Sequence, residues 1–248
     1  MSTPSVHVVA CGALAKELLA VVRANELNNV RVSFLPAELH NRPDRIVPEL
    51  DALLDRSEPA DRVLVGYGDC GTGGGLDRFC AEHDLERLPG AHCYEMFGGA
   101  ELFARLHDAE PGTFYLTDYL ARHFDRLVLE GLGINCHPEL EAMYFGNYRT
   151  MVHLAQSGAD DTRRRAEAAA DRLGLTFEYH LVGTHRLAES VVAIAIATVA
   201  DAATFRPQPE PGSQPAGTFR PQPELGFQPA ATFRPPPELG FQPEGLKT

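Results

Sequence analysis

Four side chains able to act as soft ligands or nucleophiles stand just beyond predicted strands: Cys11, Cys70, His92 and Cys93. Cys11 follows the apolar run VHVVA, Cys70 lies in the glycine-rich segment after RVLVG, and His92 with Cys93 lie in the loop after a short strand around Glu86 to Leu88. In an open α/β sheet, ligands bind outside the carboxyl ends of the strands, so loops distant in sequence converge there. Thiolate and imidazole together suit Zn²⁺, which takes sulfur and nitrogen tetrahedrally and leaves an open position in catalytic sites. Nickel or an iron–sulfur assembly would accept the same donors. The bland alternative is that these cysteines are small buried hydrophobes.

Two further groups border this set. The run Gly66-Tyr67-Gly68-Asp69-Cys70-Gly71 fits GxGxxG between a strand and a helix, a geometry in which backbone N–H groups hold a phosphate. Gly66, Gly68, Gly71 and Gly73 are thus the expected cofactor-binding positions, although the match sits on the third strand and its helix is short. Glycines here also let the main chain approach a ligand held by Cys70. Glu95, three residues past His92, is the expected general acid or base; its plain reading is a solvated or capping carboxylate. Cys80 falls on a helix face and reads as core, and Cys136-His137 as a loop pair before a helix start.

The elements that must position these groups alternate. VHVVA, VRVSFL and RVLVG read as strands, and helical spacing follows each: ALAKELLAVVRANEL, then IVPELDALLDR with Pro48 in its first turn, then Leu76 through Glu82. Beyond them come a helix at AELFARLHDA, a short extended GTFYL, a helix over TDYLARHFDRLVLEGL capped by Thr117 or Asp118, and a helix at HPELEAMYF. YRTMVHLAQ fits strand or helix equally. DDTRRRAEAAADRLGL is a helix stopped by Gly174, and LTFEYHLVG alternates as a strand. This order predicts an α/β fold, a largely parallel sheet with helices on both faces.

Residues 1–203 form that domain; from Thr204 the composition changes. The last 45 residues hold 11 of the 19 prolines and repeat TFRPQPEPG, TFRPQPELG and TFRPPPELG at Thr204, Thr218 and Thr232, a period of 14. A disordered or polyproline-like tail over 204–248 is expected, either a partner-binding element or a slipped repeat without a ligand. A net charge of −12 argues against nucleic acid and anionic membrane as partners. The uncharged run Ser190 to Ala200 is far short of the roughly 20 residues that cross a bilayer. Five cysteines, odd in number and widely spaced, read as reduced thiols. With no basic, apolar leader at Met1 to Val9, the expected compartment is the cytoplasm.

The blocks VVACGAL at Val8, LVGYGDCGTGGGL at Leu64, LPGAHCYEMFGG at Leu88 and PGTFYLTDYL at Pro111 resemble the family catalogued as domain of unknown function 1638, over roughly residues 6–190. Its members show a cysteine after strand one, GYGxCG(x)G, and an Ala-His motif with a nearby cysteine, matched here by Cys11, Cys70, His92 and Cys93. Many members carry an aspartate between that histidine and cysteine, which are adjacent in this chain. The resemblance implies an association with corrinoid-dependent methyl transfer. The expectation is therefore a zinc-binding protein, enzyme or accessory, serving one-carbon methyl transfer, with a small-molecule substrate or a corrinoid protein as partner. Zinc-dependent hydrolysis stands second among enzymes. The rival of another class is a non-catalytic module that holds a phosphate-bearing or corrinoid ligand through its glycine-rich loop.

Overall fold

The computed structural model of the chain describes residues 4–204, with side chains over 4–200. Apart from Thr204, the expected proline-rich tail of 204–248 lies outside the described residues. The expected α/β architecture is present, with helices around parallel strands that divide into two sheets rather than one. The first holds β1 (Val6–Cys11), β2 (Val30–Leu35), β3 (Arg62–Gly66) and β4 (Glu86–Arg87), in the order β2-β1-β3-β4. The second holds β5 (Thr113–Thr117), β6 (Thr150–Ala155) and β7 (Thr176–Leu181), in that order. Every pairing is parallel.

Burial explains which strands are central. All six residues of β1, the polar His7 included, are buried, as a strand flanked by partners on both sides requires. Its register sets Ala10 beside Gly66, where a Cβ would come within 2.5 Å of the Ala10 Cβ, so only glycine fits. In the second sheet, Met151 of β6 joins one core cluster while Val152 and Leu154 join another. Successive side chains thus serve opposite faces, and both faces are covered.

Most helices overlap the predicted spans, whereas Cys93–Gly98 and His185–Thr204 are helices that the sequence pattern did not mark, and the helix expected over TDYLARHFDRLVLEGL is broken. In the first half the helices are α1 (Ala15–Ala24), α2 (Ile46–Asp55), α3 (Gly75–Glu82), α4 (Cys93–Gly98) and α5 (Ala100–Ala109). In the second they are α6 (Asp118–Arg122), α7 (Glu139–Phe145), α8 (Asp160–Leu173) and α9 (His185–Thr204). Gly174 stops α8 at φ +67°. Cys93, expected in a loop, opens α4 instead. The final helix returns to the first sheet: Leu187, Val191 and Ile194 share one core with Val6, Val8 and Val9. Among the described residues no helix is long and apolar enough to cross a membrane.

Candidate functional site

At the carboxyl edge of the first sheet, segments leaving four strands meet. β1 ends in Cys11, whose sulfur accepts from the Ala13 N–H at 3.3 Å and caps the 3-10 turn Gly12–Leu14. After β2, the 3-10 turn Ala37–Asn41 carries His40 back toward β1, its Nδ1 3.7 Å from Cys11 Sγ and 3.2 Å from the Ala37 carbonyl. After β3, Tyr67 stacks on the His40 ring at 6.3 Å between centroids, and Cys70 lies close enough to His40 to influence its charge. The loop after β4 delivers His92 and Cys93, and Cys93 lies near enough to Cys70 and Cys11 to feel their charges.

Cys70 itself is held in an unusual conformation. Its φ is +48°, in the left-handed region that non-glycine residues seldom occupy. Two bonds to the loop after β4 fix it there: the Cys70 N–H donates to the Ala91 carbonyl at 2.8 Å, and the Asp69 N–H to the Gly90 carbonyl at 3.2 Å. Gly68 makes this approach feasible, since a Cβ there would lie 2.9 Å from both the Gly90 oxygen and the His92 nitrogen.

Burial sets the electrostatics of the cluster. Desolvation pushes the Cys11 thiol up to about 11 against the pull of the Ala13 N–H, and pushes Cys93 well above the ordinary thiol range, helped by the charges of Cys70 and Cys11. Both are neutral thiols at physiological pH. Tyr67 is likewise shifted up by burial and then by Cys11 and Cys70; its hydroxyl approaches Cys11 without a hydrogen bond of full geometry and is a buried donor with no partner. For His40, desolvation acts downward, but the interaction with Cys70 and the hydrogen bond to the Ala37 carbonyl outweigh it and hold the imidazole above its ordinary value. His40 keeps an outer edge exposed. His92 moves down, through burial and then the charge of His40.

The carboxyl edge of the second sheet is built differently. Asp118, fully buried just after β5, receives His153 Nε2 at 3.0 Å on one oxygen, and the Ser157 N–H and hydroxyl at 2.9 and 2.6 Å on the other. Arg122 stands 3.6 Å away, and the Asp118 N–H donates to Gln156 Oε1 at 2.8 Å. Burial raises the Asp118 carboxyl, but the bonds from His153 and Ser157 prevail and hold it below the usual carboxylate range. The other ring nitrogen, His153 Nδ1, is buried and without a partner.

Residues 34–191 match the family described as protein of unknown function DUF1638. The chain belongs to the DUF1638 family. No curated protein and no solved structure matches it. The matched segment starts within β2, so it takes in His40, Cys70, His92, Cys93 and the Asp118 network but not Cys11.

The geometry of this DUF1638 chain corrects the metal reading. Among the described residues no group of three or more His, Cys, Asp or Glu side chains is placed to hold a metal ion. The expected Cys11, Cys70, His92 and Cys93 centre is not assembled, and with it fall the zinc-dependent methyl-transfer function and its hydrolytic variant. The physical reason lies in the donors. Cys11 is committed to a backbone cap, Cys93 is a half-buried thiol held neutral, and His92 stands beside the rings of Tyr94 and Phe103, at 6.1 and 6.5 Å.

The glycine-rich loop does not offer a phosphate cradle either, because its donors are already taken. The N–H groups of Gly73 and Gly74 bind the Asp69 carboxylate at 3.2 and 2.8 Å, and those of Thr72, Gly75 and Leu76 bond within the loop. Asp69 thus occupies the place of the anion. Gly66 and Gly68 serve close backbone packing, while Gly71 and Gly73 supply positive φ. Glu95 turns back to accept from the Ala91 N–H at 2.9 Å, the capping role, and so steadies the loop that holds Cys70. Cys80 is buried and Cys136 exposed.

Sequence reasoning missed His40 and Tyr67. The signal for His40 was present: it follows β2 as Cys11 follows β1, and the strand-end rule applies equally to that loop.

Proposed function

We propose that this DUF1638 chain carries out covalent thiol chemistry on a small molecule, with Cys70 as nucleophile and His40 as its proton acceptor. The observation that supports this most is Cys70 itself, a non-glycine residue held at φ +48° near His40, at the edge where a parallel sheet presents its strand ends. Strained backbone of this kind collects at functional positions, and a nucleophile beside an imidazole is the basic arrangement for attack by sulfur. In the step, the Cys70 proton passes to His40 and a bond forms from sulfur to an electrophilic carbon of the substrate. The bond from that carbon to its leaving group breaks, and the leaving group departs with the proton from His40. The buried Tyr67 hydroxyl is suited to donate to a substrate oxygen on which charge develops. Cys11 and Cys93, whose ionisation burial opposes, remain spectators.

Iodoacetamide labelling mapped by mass spectrometry tests the proposal, with the exposed Cys136 as internal reference. Cys70 is expected to react faster than Cys136 near pH 7 although it is only 8% exposed. His40→Gln is expected to slow it by roughly tenfold or more and to move its pH profile upward, because the paired base is lost. Cys70 labelling no faster than Cys136, or a rate indifferent to His40→Gln, would overturn it.

A further inference from the structure

A cavity of about 410 Å³ opens between α8 and the α6 region, and four arginines line it. Arg122 and Arg126 approach from one wall and Arg165 and Arg172 from the other, the latter pair seven residues apart and so on one face of α8. Ala168 and Ala169 form the floor between them and leave the space open. We propose that this cavity is a binding site for a phosphate group, carried by a small phosphomonoester or as the free ion.

The arrangement of the guanidiniums supports this. Each is anchored through one side by a carboxylate: Arg122 by Asp118 at 3.6 Å, Arg165 by Asp161 at 2.9 Å, Arg172 by Glu141 at 2.8 Å, and Arg126 by Glu38. Anchoring orients a planar group that carries five donors, which is the preorganisation that phosphate recognition needs. The pairs of Arg126, Arg165 and Arg172 lie at the solvent-exposed surface, where such ion pairs contribute little, so they yield readily to a dianion. Asp125 and Glu130 also line the cavity; His123, which lines it too, is shifted down by burial and then by the charges of Arg126 and Arg122, with Glu38 opposing them. A tetrahedral dianion can accept from several guanidiniums on opposite walls, where a carboxylate is satisfied by a single fork. The volume exceeds that of one phosphate ion and lies within the range of small-molecule pockets, which favours a phosphate with further atoms attached.

The test is calorimetric titration of the full chain with sodium phosphate and, separately, glycerol 3-phosphate, at ionic strength fixed with sodium chloride. The expected result is saturable binding of at least one probe, weakened roughly tenfold for each guanidinium removed in Arg165→Gln and Arg172→Gln. Binding of glycerol 3-phosphate alone or more tightly identifies an ester as ligand, and binding of phosphate alone the free ion. Both variants alter exposed side chains, and unchanged Cys70 labelling in them separates this site from the thiol proposal. No heat beyond the chloride control, or equal binding by wild type and the double variant, would overturn it.

Discussion

The carboxyl edges of the two sheets are built alike and differ in how densely their polar groups are paired, although each leaves one buried polar atom without a partner, the Tyr67 hydroxyl and His153 Nδ1. At the second, Asp118 takes three hydrogen bonds from His153 and Ser157, and its own N–H reaches Gln156. At the first, a thiol at positive φ leans on an imidazole, and a tyrosine hydroxyl is buried without an acceptor. Buried polar groups normally find partners, and a network in which most members do so rigidifies its surroundings. The second edge therefore reads as a clasp from β5 to the loop after β6, and the first as a place kept ready for chemistry.

The comparison breaks if Asp118 proves dispensable for folding. Asp118→Ala leaves the Ser157 N–H and the His153 ring without their acceptor inside the protein, and it is expected to lower stability by about 3–5 kcal/mol in urea unfolding. Cys70→Ser, at the reactive edge, is expected to stay within about 1 kcal/mol. A loss below about 1 kcal/mol for Asp118→Ala, coupled with loss of Cys70 reactivity, would show that the second edge serves the chemistry.

Acid sharpens the contrast, because the two halves lose stability in different windows. His7 of β1 is buried against Ser33 Oγ at 2.8 Å, and desolvation with the charge of Arg31 lowers its pKa to about 4. An imidazole depressed below its unfolded value of about 6.5 binds fewer protons when folded, so stability falls as pH drops from about 6.5 toward 4. Asp118 is also depressed, but from a carboxylate value, so its contribution persists down to about pH 4 and is lost only below. Between pH 7.5 and 5 the wild type is expected to lose about 2 kcal/mol more than His7→Gln, which does not titrate. Equal losses in the two proteins would remove His7 as the acid-sensitive group of the first sheet.

Much of this fold was legible in the sequence, because strand runs, helix spacing and stop signals are local. Thr117 as a cap, Pro48 in a first turn and Gly174 as a stop each act through neighbouring backbone. What was not legible depends on distant partners. The segment TDYLARHFDRLVLEGL reads as one helix, yet α6 ends at Arg122 and a π-helical stretch runs over Asp125–Glu130. The reason is Asn41, whose side-chain amide takes the Leu127 carbonyl at 3.2 Å, so the Gly131 N–H turns to the Arg126 carbonyl at 3.1 Å. No helical periodicity contains that information. The site failed in the same way. The strand-end rule pointed to this edge, but the contact of Cys11 with His40 depends on how the turn after β2 folds back. The glycine loop's internal anion, Asp69, sits inside the motif and shows why a pattern of glycines alone does not make a phosphate site.

The smallest expected effect concerns the two caps that follow β5 and β1. Thr117 Oγ1 accepts from the Leu120 N–H at 3.3 Å, and Cys11 Sγ accepts from the Ala13 N–H at the same distance. Thr117→Ala is expected to lower stability by about 1 kcal/mol, and Thr117→Ser to restore most of it, since the hydroxyl alone makes the bond. Cys11→Ser keeps an acceptor at the corresponding place, so stability is expected to change by less than about 1 kcal/mol with Cys70 labelling intact. If Cys11→Ser slows Cys70 as strongly as His40→Gln does, then the cap is a secondary role of Cys11. Its sulfur, 3.7 Å from His40, would then belong with the reacting groups, and the line between them and the buried thiols around them would have to move.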